Sequence, residues 1–429
     1  MATTCIWIIE KKIMRKIGKY SFGVGDRFAH QGKAQLKAFI AAKEQLGIEF
    51  TPVWNKSHRE HTTIGTSPSE VRAEADAAVA ALGWKGNYFV DADHINFKNV
   101  ENFVEPSDFF TIDVADFIGE ASEPEKVDGF IARHKTFVGK LEIPGIADSF
   151  NVTEEWLKQF ANNYLKAIGE AANVYNYLVK KKGEGNFVPE VSCDETDTPQ
   201  SPLDLVFILK LLADNKVPAQ TIAPRFSGRF NKGVDYVGDV AQFEKEFEQD
   251  LLVIKYAIKE FGLPDNLKLS VHSGSDKFAI YPVIGKLIRK YNTGIHIKTA
   301  GTTWLEEIAG LAVSGGEGLE LAKEVYATAH KKMDELTAPY ASVIDIKPEN
   351  LPAPEVVNGW KAEQFAKAII HDQSCPGFNP DLRQLIHVGY KVAAQKGDVY
   401  LNCLKKFENN IEKQVFENIF ERHIKRLGF

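Results

Sequence analysis

His94, His272 and His296 stand among carboxylates, and these residue types in this pattern could hold a metal ion and move protons. In "LKLSVHSGSD", Leu269 and Val271 alternate with Ser270 and His272. A strand sends successive side chains to opposite faces, so His272 points away from the aliphatic side. In "GIHIKTAG", Ile295 and Ile297 face one way and His296 and Lys298 the other. Two strands thus direct an imidazole to the same side of a sheet. The same alternation puts Asp91 and Asp93 of "YFVDADHINF" on one face, and Glu190, Ser192 and Asp194 of "PEVSCDE" on another. Imidazole mixed with carboxylate suits Zn²⁺, Mn²⁺, Fe²⁺ or Co²⁺ better than Ca²⁺. Carboxylates in such a cavity can also act as general acid and base. A plainer reading applies to Asp194, Glu195 and Asp197 in "SCDETDTPQSP", which precede a helix pattern and could cap it. Cys193 falls on the opposite parity and reads as buried, not as a nucleophile.

The loop "APRFSGRFNKGVDYVGD" (223–239) carries Arg225, Arg229 and Lys232 among Phe226, Phe230 and Tyr236. Guanidinium groups suit a carboxylate or phosphate. "HSGSDKF" and "KTAGTTW" are small Gly-containing turns after strands, and neither matches a P-loop. "GVGDRF" lacks the third glycine of a dinucleotide fingerprint.

The elements that must position these groups are short apolar runs alternating with helical patterns. Strands are expected within 20–28, 49–56, 87–95, 108–118, 186–195, 219–226, 267–278 and 293–302. Helix-like segments lie between them, at 32–47, 67–84, 154–181, 201–215 and 240–262. Alternation of this kind implies a parallel sheet, and eight strands point to a TIM-like (β/α)8 barrel. Catalytic groups of such barrels gather at the C-terminal strand ends, where these polar clusters fall. The connections over 97–108 and 119–152 are irregular for a barrel. After residue 310 the pattern is mostly helical, broken by "HDQSCPGFNPDLRQLIHVGYK" (371–391). The expected organisation is an N-terminal extension over 1–13, with Met14 as an alternative start, a barrel over 14–312 and a helical C-terminal extension over 313–429 packed on it.

The 429 residues carry a formal net charge of −6, which disfavours a nucleic-acid binder. No run reaches the roughly 20 apolar residues of a membrane span. The four cysteines form no CxxC pair, which fits a reducing cytoplasm. The expected partner is a small molecule, with a homo-oligomer left open.

In order along the chain, "FGVGDRF", "VDADHIN", "FTIDVADFIG", "EVSCDETDTPQ", "IAPRFSGRFNKGVDYVGD", "SVHSGSDKF" and "HIKTAGTTWLEE" together resemble the tagaturonate epimerase family. The resemblance runs from about residue 17 to the C-terminus. It implies a TIM-like barrel, a bound divalent cation (zinc, manganese, iron, cobalt or nickel) and interconversion of tagaturonate and fructuronate in hexuronate catabolism. Carried onto this sequence, it implies Asp93 as proton acceptor and Glu190 as its partner acid. It implies His94, His272 and His296 as metal ligands, with Asp194 in reserve for either carboxylate role; of Asp91, Asp93 and His94, the residue expected to be structural is Asp91. Arg225, Arg229 or Lys298 would hold the substrate carboxylate. A metal-dependent aldolase or a ketose isomerase acting on neutral sugars is the alternative enzyme, and a sugar-acid binding protein the alternative outside catalysis.

Overall fold

The computed structural model describes residues 15–429 apart from Glu195, Asp197 and Ala300. The expected extension over 1–13 and the capping roles of Glu195 and Asp197 lie outside the described residues. All eight expected strands form. They are β1 (Tyr20–Gly25), β2 (Phe50–Ser57), β3 (Phe89–Ile95), β4 (Phe109–Asp113), β7 (Val188–Ser192), β8 (Thr221–Ala223), β9 (Lys268–His272) and β10 (Ile295–Thr299). β5 (Gly139–Leu141) and β6 (Phe150–Val152) form a separate antiparallel pair. The eight close into a barrel in the order β1-β10-β9-β8-β7-β4-β3-β2, every neighbour parallel.

Strand parity sorts the side chains. Phe22, Val24, Val90, Phe110, Ile112, Leu269, Val271, Ile295 and Ile297 join the large core beneath the surrounding helices. The opposite parity fills the barrel. At the N-terminal ends of the strands, Ile17, Val53, Phe89, Phe109 and Val188 make a small apolar floor. Burying each such side chain stabilises the fold by about 1.5–3 kcal/mol. Above this floor every inward position is small or polar. In register rows, Gly23 meets Lys298 and Lys298 meets His272, while Asn55 meets Asp91 and Thr111 meets Glu190. The floor seals one end, so the polar groups open only toward the C-terminal ends.

The irregular connection between β4 and β7 holds the helix Pro124–His134, the β5/β6 hairpin and the helix Glu154–Lys182. After the helix Thr302–Ser314 the described chain is helical, with short 3₁₀ turns and one π-helical stretch, Glu417–Ile424. It docks back on the barrel from both ends. Trp304 Nε1 donates to the Ile386 carbonyl at 2.7 Å. Phe429 packs on Tyr20 and Phe50, at 4.9 and 5.8 Å between ring centroids. No helix among the described residues is long and apolar enough to cross a membrane.

Candidate active site and metal centre

The site is built around a defect in β3. Pairing with β4 runs Asp91↔Phe109 and Ala92↔Phe110, then resumes at Ile95↔Ile112. Asp93 and His94 therefore oppose the single residue Thr111, which is a β-bulge. His94 takes φ of 51°, a left-handed conformation that costs a non-glycine residue about 1 kcal/mol or more. Strict alternation would send His94 outward. The bulge turns it toward the opening instead, where its ring lies 5.2 Å from that of His272.

Lys298 is the hub of the layer below. Its ammonium lies 2.8 Å from Asp91 Oδ2, 2.6 Å from Asp93 Oδ1 and 3.6 Å from Glu190 Oε1, and it donates to Thr111 Oγ at 2.7 Å. Glu190 is wholly buried: His272 Nε2 is 2.9 Å from its Oε1, and Thr221 Oγ donates to Oε2 at 2.6 Å. His272 Nδ1 faces Asp194 Oδ2 at 3.2 Å, while Ser192 Oγ donates to Asp194 Oδ1 at 2.5 Å. His94 Nδ1 is 3.1 Å from Asp113 Oδ2.

These contacts divide the acids. Burial lifts the Asp91 carboxyl to about 6, although Lys298 pulls it down. Burial acts the same way on Asp93, but Lys298 and His94 outweigh it and hold that carboxyl low. Glu190 is held well below its usual range because His272 and Lys298 overcome its burial. Asp194 is held low by His272 against the same penalty. Burial disfavours the His272 imidazolium, yet Asp194 and Glu190 carry its pKa to about 9. His94 is raised likewise by Asp93 and Asp113. Four carboxylates thus share a closed space with one lysine, and the surplus negative charge favours a cation.

One atom each from His94, Asp194 and His272 lie within 4.8 Å of one another. Each imidazole is held at one ring nitrogen by a carboxylate, Asp113 for His94 and Glu190 for His272. That arrangement fixes a metal-binding ring and leaves the other nitrogen for the ion. Two imidazoles and a carboxylate leave coordination positions for substrate, as catalytic sites do. The residues fit a divalent cation.

His296 is not in this group. It pairs in register with Ser21 and Ser270, one inward step below Lys298, and packs on Phe109 of the floor at 5.4 Å. Its Nδ1 is 2.9 Å from Ser21 Oγ, and burial keeps it neutral, with a pKa of about 3. Of the residues expected to bind a substrate carboxylate, Lys298 is enclosed by acids. Arg225 is half-buried beside the cluster, its Nη1 3.3 Å from the Asp194 carbonyl. Arg229 is exposed and pairs with Asp345 at 3.0 Å. Cys193 is buried, and burial pushes its thiol up. His371 is buried against Asp276, while exposed Asp372 accepts from Ser374. Lys232 lies against Gly274 and His387 against Gly301, and neither carries a motif that strand parity could detect. A groove of about 1210 Å³ between the helices Pro124–His134, Glu154–Lys182 and Pro202–Asp214 holds none of these residues.

A family model described as tagaturonate epimerase matches residues 6–427. A tagaturonate/fructuronate epimerase of Thermotoga maritima is 29% identical over 423 residues, covering 95% of this chain and 79% of that protein. The glycerol-complexed crystal structure of a fructuronate-tagaturonate epimerase from Cohnella laeviribosi superposes with a TM-score of 0.80 at 24% identity, over 97% of this chain and 83% of that one. The native crystal structure of the same enzyme gives 0.78.

Proposed function

This chain belongs to the tagaturonate epimerase family and is an isomerase-class enzyme, and we propose that it interconverts D-tagaturonate and D-fructuronate in a metal-dependent reaction. The observation that carries the metal is the convergence of His94, Asp194 and His272 beside the ionised Asp93. Asp194 stands in the ligand set in place of His296.

The two uronates differ at C3, counting the carboxylate as C1 and the ketone as C5. The C3 hydrogen is β to the ketone and is not acidified by it. Epimerisation there is best served by a retro-aldol step. The C3 hydroxyl loses its proton, C3–C4 breaks with its electron pair going to the ketone fragment, and the aldehyde formed at C3 turns before the bond re-forms. A divalent cation held by His94, Asp194 and His272 would polarise the ketone oxygen as a Lewis acid.

The protein's own groups handle the protons. Asp93 accepts the C3 hydroxyl proton. Glu190 is the partner carboxylate, and Lys298 between the two ties their charges together. Glu190 also orients His272 through Nε2. Arg225, beside Asp194, is placed to meet a substrate oxygen.

Chelation should abolish conversion of tagaturonate to fructuronate, and Mn²⁺ or Zn²⁺ should restore it. Undiminished turnover after chelation would remove the metal from the scheme. Turnover of neutral ketohexoses in preference to uronates would favour the alternative enzyme. A primary C3–H isotope effect with solvent exchange, and no trappable aldehyde fragment, would replace the retro-aldol step by direct proton abstraction.

A further inference from the structure

The cation cluster occupies the β3, β4, β7 and β9 side of the mouth. The opposite side, where β1, β10 and the loop after β9 meet, carries the cations Lys232 and Arg27 beside His387, with Asp26 already satisfied by backbone N–H groups. Lys232 lies there with its backbone fixed at several points. Its own N–H donates to the Val343 carbonyl at 2.7 Å, the next N–H donates to Ser275 Oγ at 2.8 Å, and the preceding carbonyl accepts from Lys277 Nζ at 3.0 Å. Yet the Lys232 ammonium has no acidic partner and no hydrogen bond among the described residues. It rests on Gly274, two residues beyond His272. Gly274 has φ of +64°, and a Cβ there would stand 3.1 Å from Lys232 Nζ.

His387 enters the same corner from the helix Pro380–Val388. It is 2% exposed, and neither ring nitrogen has a hydrogen-bond partner. It can approach because residue 301 is glycine: a Cβ would lie 2.1 Å from His387 Nε2 and 2.8 Å from the Gly274 carbonyl oxygen. Arg27, just past β1, completes the side. Its guanidinium pairs with Glu60 at 2.8 Å and stacks on Tyr390 at 4.1 Å, but its buried Nη1 has no partner. Burial keeps His387 neutral, and the positive charges of Arg27, Lys232, Arg383 and Lys277 add to that effect. Unpartnered buried donors beside a fixed, unpaired ammonium leave the hydrogen bonds that an anion would supply.

We propose that Lys232, with His387 and Arg27, forms the subsite for the substrate's carboxylate, so that the C-terminal helical segment completes the active site. This rests on the hexuronate reading above. The group gripped is the one on the aldehyde fragment, so the subsite keeps that fragment in place while its carbonyl turns between faces.

The test uses the metal-loaded enzyme and its Lys232→Met and Lys232→Arg variants. Lys232→Met deletes no native hydrogen bond or ion pair of the side chain, so folding should be unaffected, as thermal melting would show. The KM for tagaturonate should rise on the order of 10- to 100-fold in Lys232→Met with kcat little changed, and Lys232→Arg should recover most of it. D-glycerate, which carries the carboxylate on a three-carbon chain, should bind the wild type better than glycerol does and lose that advantage in Lys232→Met. A KM within twofold of wild type, or glycerate binding that survives Lys232→Met, overturns the subsite. Should the wild type turn over no hexuronate, the functional reading fails by itself. Glycerate then decides alone, with Lys232-dependent binding upholding the anion site and its absence refuting it.

Discussion

Asp93 and His94 are neighbours in the chain with different proposed roles. The bulge lets both face the opening, Asp93 toward Lys298 at 2.6 Å and His94 toward Asp113 and the His272 ring. Asp93→Asn keeps the shape and removes the proposed base. It should lower kcat by about 10²- to 10⁴-fold while the purified protein keeps its metal. His94→Ala and Asp194→Ala should instead lose metal, measured as bound metal per chain. Equal metal loss in Asp93→Asn and His94→Ala would reverse the assignment. His296→Asn separates the two candidate ligand sets: metal should be retained, because His296 lies a layer below the cluster. Loss comparable to His94→Ala would restore His296 to the set in place of Asp194. The ambiguity has a physical origin. Alternation along a strand tells which side chains enter the barrel, but not at what height, since height depends on register between strands distant in sequence. Asp194 lies past the end of its strand and keeps the inward parity of Glu190 and Ser192, but parity does not say which of these acids shares a cation with the imidazoles. Lys232 stands out in the sequence only as one cation of the 223–239 loop, and His387 joins it from a distant helix, so no local pattern announces their meeting.

Strands were the most legible elements, because a parallel barrel needs apolar runs and every run here ends in polar residues. The β3 bulge was not legible, since "VDADHI" satisfies regular alternation up to its last two residues. The hairpin of β5 and β6 escaped notice for a related reason. Its strands are three residues each, too short for periodicity to register. The C-terminal segment reads as helix, but where it docks depends on single positions. Gly285, in the helix Tyr281–Lys290, is one of them: a Cβ there would fall 1.7 Å from the Leu427 carbonyl oxygen. Arg289 Nη1 donates to that same oxygen at 2.6 Å, so the helix and the chain end are tied at the point of closest approach. Gly285→Ala should therefore destabilise the fold by about 1–3 kcal/mol through overpacking, read as a lower melting temperature. The metal content of the folded fraction should be unchanged, since the contact lies away from the mouth. An unaltered melting temperature would mean that the chain end yields freely, and the docking argument would fall.

At the scale of the molecule, much of the interior is polar, and that makes stability depend on pH in a definite direction. Asp276, fully buried, collects Arg383 at 2.7 Å, His371 at 3.0 Å and His423 at 3.4 Å, and Glu306 holds Arg422 at 2.7 Å. These groups join the barrel to the C-terminal helices, so whatever charges them wrongly loosens the assembly. His61 and His423 have pKa values lowered to about 4 and His296 to about 3, burial being the leading cause in each. Unfolded, they would take up protons near pH 6.5. A folded pKa below the unfolded one means that the stability is complete above pH 6.5 and is lost as pH falls toward 4. Each group contributes at most about 1.4 kcal/mol per pH unit in that window. Carboxylates held low in the fold act in the same direction, but mostly below pH 5, whereas Asp91, Glu74, Asp250 and Glu307, raised by burial, act oppositely and offset part of the histidines' effect between 6.5 and 5. His272 works oppositely: with its pKa raised to about 9, it contributes stability below 6.5 that is lost as pH rises through 9. A cation held by His94, Asp194 and His272 would take the place of its proton and remove that contribution. The metal-loaded protein should therefore melt at steadily lower temperature from pH 7 to pH 5, with net proton uptake on unfolding measurable by calorimetry in buffers of different ionisation enthalpy. His296→Asn should reduce that uptake by up to one proton. Proton uptake unchanged by His296→Asn would show that this histidine is already protonated in the folded enzyme.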